Sequence, residues 1–464
     1  MKTAGKSSGQ LGVLILAAGQ GTRMVSTLPK VLHRLGGRPM IYYLVRLANA
    51  MKPSGIGIVV GHQDDVVRKE VQDLLKDAGV TRPVTFIHQK DVSGSGAAVI
   101  ESLPFLKKFQ TAMVLCGDTP LLTFDTVYAM LHSHRESKGQ VTMLTARVRN
   151  PKGYGRILRS TSGEVIRVVE ETEANPKEAA ISEINSGTYT FEVPLLVQAL
   201  KDLKPQGPKH ERYLTQALEI MRQKGGRVSA YQASSPDEAL GVNTRVQLAL
   251  AERVLNRRML ERLMLSGVTV LDAETTYADA DVEVGQDTVL LPGTILRGKT
   301  KVGRQCRIGP YTSIEDSSIG NETSVAYSVV SGARILEKSA VGPFAHLRPD
   351  TVAGPRARIG NFTEVKASRI GFGSKVPHLS YIGDSEIAED VNVGAGTITC
   401  NYDGEHKHKT IIQAKAFIGS NVNLIAPIKV GRGARVGAGS TITQDVPDGN
   451  LAIARSQQVN KAGK

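Results

Sequence analysis

Tryptophan is absent from the 464-residue chain, aromatic residues make up only 5% of it, and cysteine occurs three times. Cys116, Cys306 and Cys400 lie too far apart in sequence to read as a disulfide framework or a zinc knuckle, and they suit a reducing cytosol. No apolar run approaches the roughly 20 residues of a membrane span. No block of five or more consecutive basic residues offers a nucleic-acid arm, despite a formal charge of +14. The one apolar run near the N-terminus, Leu11 to Ala18, follows two lysines but lacks a cleavage region and runs into glycines and an arginine. It reads as a buried first strand and not as a signal peptide.

What the chain has in plenty is glycine, 47 residues of it, which asks for many tight turns. A 41% hydrophobic and 22% charged composition is that of an ordinary globular protein. The basic surplus is uneven: up to Gly267 there are 36 Lys and Arg against 24 Asp and Glu, and beyond it 22 against 20. Small anionic substrates, nucleic acid and anionic surfaces are all compatible with such a balance.

The first half alternates apolar runs (Leu11 to Ala18, Gly57 to Val60, Val84 to His88, Ala112 to Leu115) with amphipathic stretches (Met40 to Met51, Asp64 to Asp77). This is the βαβ pattern of a largely parallel sheet whose ligands gather beyond the carboxyl ends of the strands. Thr244 to Leu265 then predicts one long helix, with Val246, Leu250, Val254, Leu255, Met259, Leu263 and Met264 as its apolar positions. Asn243 and Thr244 stand where they can cap it, and Gly267 closes it.

Beyond that helix, aliphatic residues recur every sixth position at Val284, Leu290, Leu296, Val302, Ile308 and Ile314, with occasional steps of five. The register continues through Ile359, Val365, Ile370, Val376, Ile382 and Ile387 to Ile412, Ile418, Leu424, Val430, Val436 and Ile442. Three hexads make one triangular coil, so the repeat predicts a left-handed parallel β-helix with a continuous aliphatic core. A polar insertion near Thr399 to Lys409 interrupts it, and its HKHK run, His406 to Lys409, reads as a solvated loop and not as a metal site.

Motifs sit on this frame. In LILAAGQGTRMVSTLPK, Leu14 to Lys30, Gly19 and Gly21 let backbone N–H groups approach a phosphate while Arg23 and Lys30 bring charge to it. The segment resembles the signature of sugar nucleotidyltransferases. LCGD places Asp118 just past a strand, where a hard cation held by carboxylate and phosphate oxygens would sit. Gln89, Gly94, Ser95, GYGR (Gly153 to Arg156), Glu170, EINSG (Glu183 to Gly187) and GVN (Gly241 to Asn243) follow. In the second half come GPFAHLRP from Gly342, GNFTEVK from Gly360, HLSYIGD from His378 and NVGAGTITCNYDG from Asn392.

Taken in order, these motifs resemble the bifunctional N-acetylglucosamine 1-phosphate uridylyltransferase and glucosamine 1-phosphate acetyltransferase family over about residues 11 to 455. The resemblance implies a Rossmann-like α/β nucleotidyltransferase domain (1–243), a linker helix (244–267) and a left-handed β-helix acetyltransferase domain (268–464). It implies that Leu16, Ala17, Ala18, Gly19, Arg23 and Lys30 meet the phosphates of UTP. Gln89, Gly94 and Ser95 meet the base, Gly155, Glu170 and Asn185 meet the sugar nucleotide, and Asp118 and Asn243 hold Mg²⁺. For acetyl transfer from acetyl-CoA it implies His378 as general base, a role that suits imidazole because its unperturbed pKa is about 6.5. Arg348 and Lys366 would bind the sugar phosphate, Tyr381 and Asn392 the sugar, and Ala395, Asn401, Tyr402, Ser420, Ala438 and Arg455 would line the acetyl-CoA site. A homotrimer in the cytoplasm is implied as well, acting on small molecules and with no nucleic-acid partner.

Departures from the family pattern are Cys116 in place of Tyr, Ser95 in place of Thr, EETEA from Glu170 to Ala174, and a short tail after Arg455. Two rival readings stand beside this one. Another sugar nucleotidyltransferase with a regulatory β-helix is opposed by His378, Lys366 and Asn401-Tyr402. A non-catalytic β-helix scaffold is opposed by Arg23, Lys30 and Asp118.

Overall fold

The computed structural model describes residues 10–461 and 463, apart from 78, 81 and 207–209. The chain divides into two compact units, Met1–Leu255 and Asn256–Lys464.

The first unit is built on one mixed sheet. Strand β1 (Leu11–Leu16) lies inside it with Val13, Leu14 and Ile15 fully buried, as the apolar run leads one to expect. β2 (Gly55–Val60), β3 (Val84–His88) and β4 (Thr111–Cys116) extend it in parallel: β1 pairs with β2 on one side and β4 on the other, and β3 pairs with β2. Helices α1 (Met40–Ala50) and α2 (Asp64–Asp77) fall where their periodicity places them. Past β4 the parallel pattern gives way. β5 (Val141–Arg147), β6 (Arg156–Arg159), β7 (Val165–Val169), β8 (Glu183–Glu192) and β9 (Val228–Gln232) complete the sheet, and β8 inserts antiparallel between β4 and β5. The EINSG stretch looks polar enough for a loop, yet it opens β8, whose later residues Thr188, Tyr189, Thr190 and Phe191 are buried. A register shift between Asn185 and Tyr189, with Gly187 at φ +79°, marks where this strand bulges.

The long helix runs Arg245–Leu265, and the Thr244 hydroxyl accepts the Gln247 N–H at 3.2 Å. Gly267, at φ +93°, follows its end. Its buried apolar residues are Ala251, Leu255, Leu260 and Leu263, whereas Val246, Leu250 and Met264 are exposed, so only part of the expected stripe is used.

The second unit is a left-handed parallel β-helix. Among the described residues its strands, two to four residues each, form three parallel sheets of 11, 10 and 9 strands, each strand pairing with the one a full coil later. Leu290, Leu296, Ile308, Ile314, Val365, Val376, Ile382, Ile418 and Leu424 are fully buried in one continuous core. Full burial of each stabilises by roughly 1.5–3 kcal/mol relative to exposure. A second set of inward residues is polar. Two positions before many of the aliphatic residues stands a buried Ser or Thr, such as Thr300, Ser317, Ser368, Ser374 and Ser385. Their hydroxyls bind backbone carbonyls: Ser374 Oγ donates to Ala388 O at 2.6 Å and accepts the Val391 N–H at 2.9 Å. Hydroxyls of this kind satisfy backbone groups buried between successive coils.

Candidate functional site

In the first unit the carboxyl ends of β1 and β4 open onto two cavities of about 480 Å³ and 660 Å³ that share Gly19, Gly21, Thr22, Lys30 and Glu211. The turn after β1 is forced by packing. Gly21 sits at φ +66°, and a Cβ there would come within 2.6 Å of Lys30 Cβ, so only glycine lets the loop fold back onto the Lys30 turn. A Cβ on Gly19 would meet nothing within 4 Å, so its backbone faces open space. Leu16, Ala18, Gly19, Lys30, Gln89, Gly94, Ser95 and Asp118 line the first cavity. Arg23, Lys30, Glu170 and Asn243 line the second. Ala17 is held one step back, its N–H donating to Val59 O at 2.9 Å.

Four charged and polar groups meet where the cavities join. Lys30 Nζ donates to Asp118 Oδ2 at 2.6 Å and to Asn243 Oδ1 at 3.1 Å, and Arg23 Nη2 donates to Asn243 Oδ1 at 3.0 Å. The Val242 N–H donates to Asp118 O at 2.8 Å, tying the two acceptor-bearing loops together. Asp118 and Asn243 thus present two hard oxygen donors around one point. Among the described residues no three His, Cys, Asp or Glu side chains form a closed metal cage. A carboxylate and an amide oxygen beside an open cavity are the donor set of a cation that takes its other ligands from phosphate and water, which fits Mg²⁺.

The residues assigned to the sugar also converge. Asn185 N–H donates to Gly155 O at 2.8 Å, and a Cβ on Gly155 would lie 3.5 Å from a Glu170 carboxylate oxygen and 3.7 Å from Asn185 Cβ. Asn185 Nδ2 donates to Tyr189 Oη at 2.6 Å, and Thr215 Oγ1 donates to Glu170 Oε1 at 2.7 Å. Burial pushes the Glu170 carboxyl above the ordinary carboxylate range. The unusual Glu171 is taken by the Arg156 guanidinium, which holds its carboxyl low. Cys116 lines the first cavity, its Sγ donating to Gly187 O at 3.2 Å, and burial pushes its thiol up to about 12.

Sequence reasoning missed the segment that closes this site. Glu211 and Tyr213 line the cavities, and the Gly96 N–H donates to Arg212 O at 2.8 Å. Gly94, at φ +102°, packs so close that a Cβ would lie 2.5 Å from Arg212 O. Leu214 N–H donates to Ser95 Oγ at 3.1 Å, which fixes the base loop from outside. The pair Gly94 and Gly96 was the available signal of a second backbone pressing against that loop.

In the second unit the assigned residues spread over neighbouring coils. Arg348, Lys366 and Gly383 follow one another up one ladder, because His346–Leu347, Glu364–Lys366 and Tyr381–Gly383 pair in register. Arg348 Nη1 donates to Glu364 Oε1 at 2.9 Å. Gly383 makes room for its neighbours: a Cβ there would lie 2.6 Å from Tyr381 Oη and 2.8 Å from Asn401 Nδ2. The buried Asn401 donates through Nδ2 to Asp384. His378 is exposed at the end of strand Lys375–His378, with Nδ1 2.6 Å from Asn361 Oδ1. Asn392 lies on the next coil, paired with Lys375. Ala395 O accepts the Asn421 N–H at 2.7 Å, Ser420 O accepts the Gly439 N–H at 2.8 Å, and Arg455 Nη1 donates to Ala438 O at 2.8 Å. Tyr402 is exposed within the insertion, bridged to Lys407. In the HKHK run, His408 Nε2 pairs with Asp403 at 2.6 Å and Lys409 with Glu386 at 2.8 Å. No cavity among those described gathers His378, Lys366 and Asn401 together.

The family description "Nucleotidyl transferase" matches residues 12–235, and "Bacterial transferase hexapeptide (six repeats)" matches residues 409–444. Curated relatives match along nearly the whole chain. A "Bifunctional protein GlmU" of Caldanaerobacter subterraneus subsp. tengcongensis is 47% identical, covering 98% of this chain and 97% of its own. Those of Heliobacterium modesticaldum and Trichlorobacter lovleyi are each 48% identical, covering 96% and 97% of this chain and 95% and 97% of their own. A solved UDP-glucose pyrophosphorylase complexed with UDP-glucose aligns with a TM-score of 0.45 at 20% identity, covering 54% of this chain and 99% of that one.

Proposed function

The chain belongs to the bifunctional GlmU family, and from that premise we propose how its residues divide the two reactions. The enzyme acetylates glucosamine 1-phosphate and transfers UMP to the resulting N-acetylglucosamine 1-phosphate, giving UDP-N-acetylglucosamine and pyrophosphate. Residues 1–243 carry uridylyl transfer, 244–267 link, and 268–464 carry acetyl transfer. The observation that carries the first assignment is the meeting of Lys30, Arg23, Asp118 and Asn243 at the mouth of the β1 loop.

In uridylyl transfer the Gly19 loop, Arg23 and Lys30 bind the triphosphate of UTP, Gln89, Gly94 and Ser95 hold the base, and Gly155, Glu170 and Asn185 hold the sugar. An oxygen of the sugar phosphate attacks the α-phosphorus, the bond to the β-phosphate oxygen breaks, and pyrophosphate leaves with the electron pair. No general base is needed, since the attacking phosphate is already ionised. Mg²⁺ held by Asp118 and Asn243 would neutralise charge on the triphosphate and the leaving pyrophosphate.

In acetyl transfer Arg348 and Lys366 anchor the sugar phosphate, Tyr381 and Asn392 the sugar, and Ala395, Asn401, Tyr402, Ser420, Ala438 and Arg455 the acetyl-CoA. As the amine attacks the thioester carbonyl, His378 takes its proton. The C–S bond then breaks with its electrons passing to sulfur, and the imidazolium returns the proton to the thiolate. A second copy completes this site. The exposed rings of Tyr311, Tyr327, Phe344 and Phe362 stack along one corner with centroids 6.0, 5.6 and 5.2 Å apart, and Leu379, beside His378, occupies the next step. Such a stripe is surface for another protein to cover, which supports a homotrimer. No described helix is long and apolar enough to cross a membrane, and we place the enzyme in the cytoplasm, acting on small molecules and not on nucleic acid. One assay tests the whole: with glucosamine 1-phosphate, acetyl-CoA, UTP and Mg²⁺ each omitted in turn, UDP-N-acetylglucosamine forms only in the complete mixture. Formation of UDP-glucosamine when acetyl-CoA is omitted would overturn the order of the steps.

A further inference from the structure

We infer that Asn361 is a positioning residue that fixes the tautomer and direction of the His378 ring, an inference that rests on His378 being the acetyl-transfer base. Asn361 stands one coil before His378 in direct parallel register with it, and the His378 Nδ1–H donates to Asn361 Oδ1 at 2.6 Å. The backbone imposes this approach. A Cβ on Gly360 would lie 1.8 Å from Pro377 O, so the Gly360-Asn361 pair presses onto Pro377-His378 more closely than any other residue than glycine allows. The Leu379 N–H donates to Asn361 O at 3.0 Å, and the Phe362 N–H donates to Phe344 O at 3.0 Å, pinning Asn361 on both sides.

A neutral imidazole carries one proton on two nitrogens. With Nδ1–H held by an oxygen acceptor, the lone pair is left on Nε2. Without that acceptor the proton distributes over both nitrogens and the ring rotates, so part of the population points a donor at the substrate amine. The acceptor is also uncharged. A carboxylate there would stabilise imidazolium, and the histidine would then be slower to give its proton back to the departing thiolate. The charged and titratable groups on the elements packed against His378 are Arg358 on the Asn361 strand, Lys375 on its own strand, and Glu364, Lys366 and Tyr381 on the adjoining ladder; the Asn392–Val393 strand brings none. Asn361 is thus an uncharged contact among charged neighbours.

The test uses the full chain as wild type, Asn361→Ala, Asn361→Asp and His378→Ala, with acetyl transfer from acetyl-CoA to glucosamine 1-phosphate followed across pH and uridylyl transfer measured in parallel. Asn361→Ala is expected to lower kcat for acetyl transfer about 10- to 100-fold, with a small change in KM and uridylyl transfer intact. Asn361→Asp, nearly isosteric, is expected to move the acidic limb of the pH–rate profile upward by about one pH unit. An unchanged kcat in Asn361→Ala, or an unmoved acidic limb in Asn361→Asp, overturns the inference while leaving the base assignment standing. Acetyl transfer that survives His378→Ala overturns the base assignment itself. Should Asn361→Ala fail to fold, the Asn361→Asp profile alone decides.

Discussion

The two units solve the problem of holding an anionic sugar phosphate in opposite ways. In the first, loops at the ends of β1 and β4 fold around a hollow, so that Lys30, Asp118, Asn243 and Glu170 all border connected cavities. In the second, the insertion that carries Tyr402 is, among the described residues, the one long loop near the site, and His378, Lys366 and Asn401 stand on successive coils beside an aromatic corner stripe. A sheet with crossover helices builds a pocket from one chain, while a prism offers faces and corners, which is why the proposed second copy matters only to the second site.

The sharpest way to break this comparison is a double dissociation. His378→Ala is expected to lower acetyl transfer by roughly 10²–10⁴-fold and leave uridylyl transfer unchanged, and Asp118→Ala to do the reverse, as separate assays of the two reactions will show. A loss of both activities in either variant would mean that the units are not chemically independent. Next in size is Lys30→Ala. It removes a cation from the phosphate region and leaves Asp118 without its ammonium partner, so uridylyl transfer is expected to fall roughly 100-fold.

The comparison also predicts unequal dependence on assembly. Phe344→Asp together with Phe362→Asp places two carboxylates in the corner stripe. Light scattering is expected to show a smaller particle and acetyl transfer to drop by about tenfold or more, while uridylyl transfer stays near wild type; an unchanged mass with full acetyl activity would remove the role given to the stripe.

The smallest effect concerns Glu170. Burial raises its carboxyl, so the folded protein takes up this proton at a higher pH than the unfolded chain does. The stability lost by keeping it ionised is therefore present near neutral pH and is recovered as pH falls through the raised value. Glu170→Gln keeps an acceptor for Thr215 and is expected to melt about 2 °C above wild type at pH 7, the gap closing in scans toward pH 5.

How much of this was legible in the sequence follows the range of the interactions. Strand Val84–His88, helix Asp64–Asp77 and the hexads are written in local periodicity, and they stand where the pattern puts them. The meeting of Gly19, Gly21, Arg23 and Lys30 at the cavities was legible because these residues are neighbours in the chain. The antiparallel β8 was hidden because the polar EINSG stretch and a strand share the same residues there. Glu211, Tyr213 and Thr215 were invisible for another reason: they reach the site from more than a hundred residues beyond the β3 loop, and nothing near them announces the contact. The buried hydroxyls of the coil were present at fixed spacing but masked by the louder aliphatic repeat.

Because every strand of the prism pairs only with the strand one coil away, height along its axis comes in discrete increments of about 4.8 Å. Removing or duplicating one whole coil below Gly342, for example residues 307–323, would carry His378 up or down by a single increment with its orientation preserved, and the steps of five show that a corner can shorten by a residue without breaking the ladder. The acetyl-transfer end of the molecule is in this sense mounted on a graduated post, and its elevation can be reset by editing in multiples of a coil.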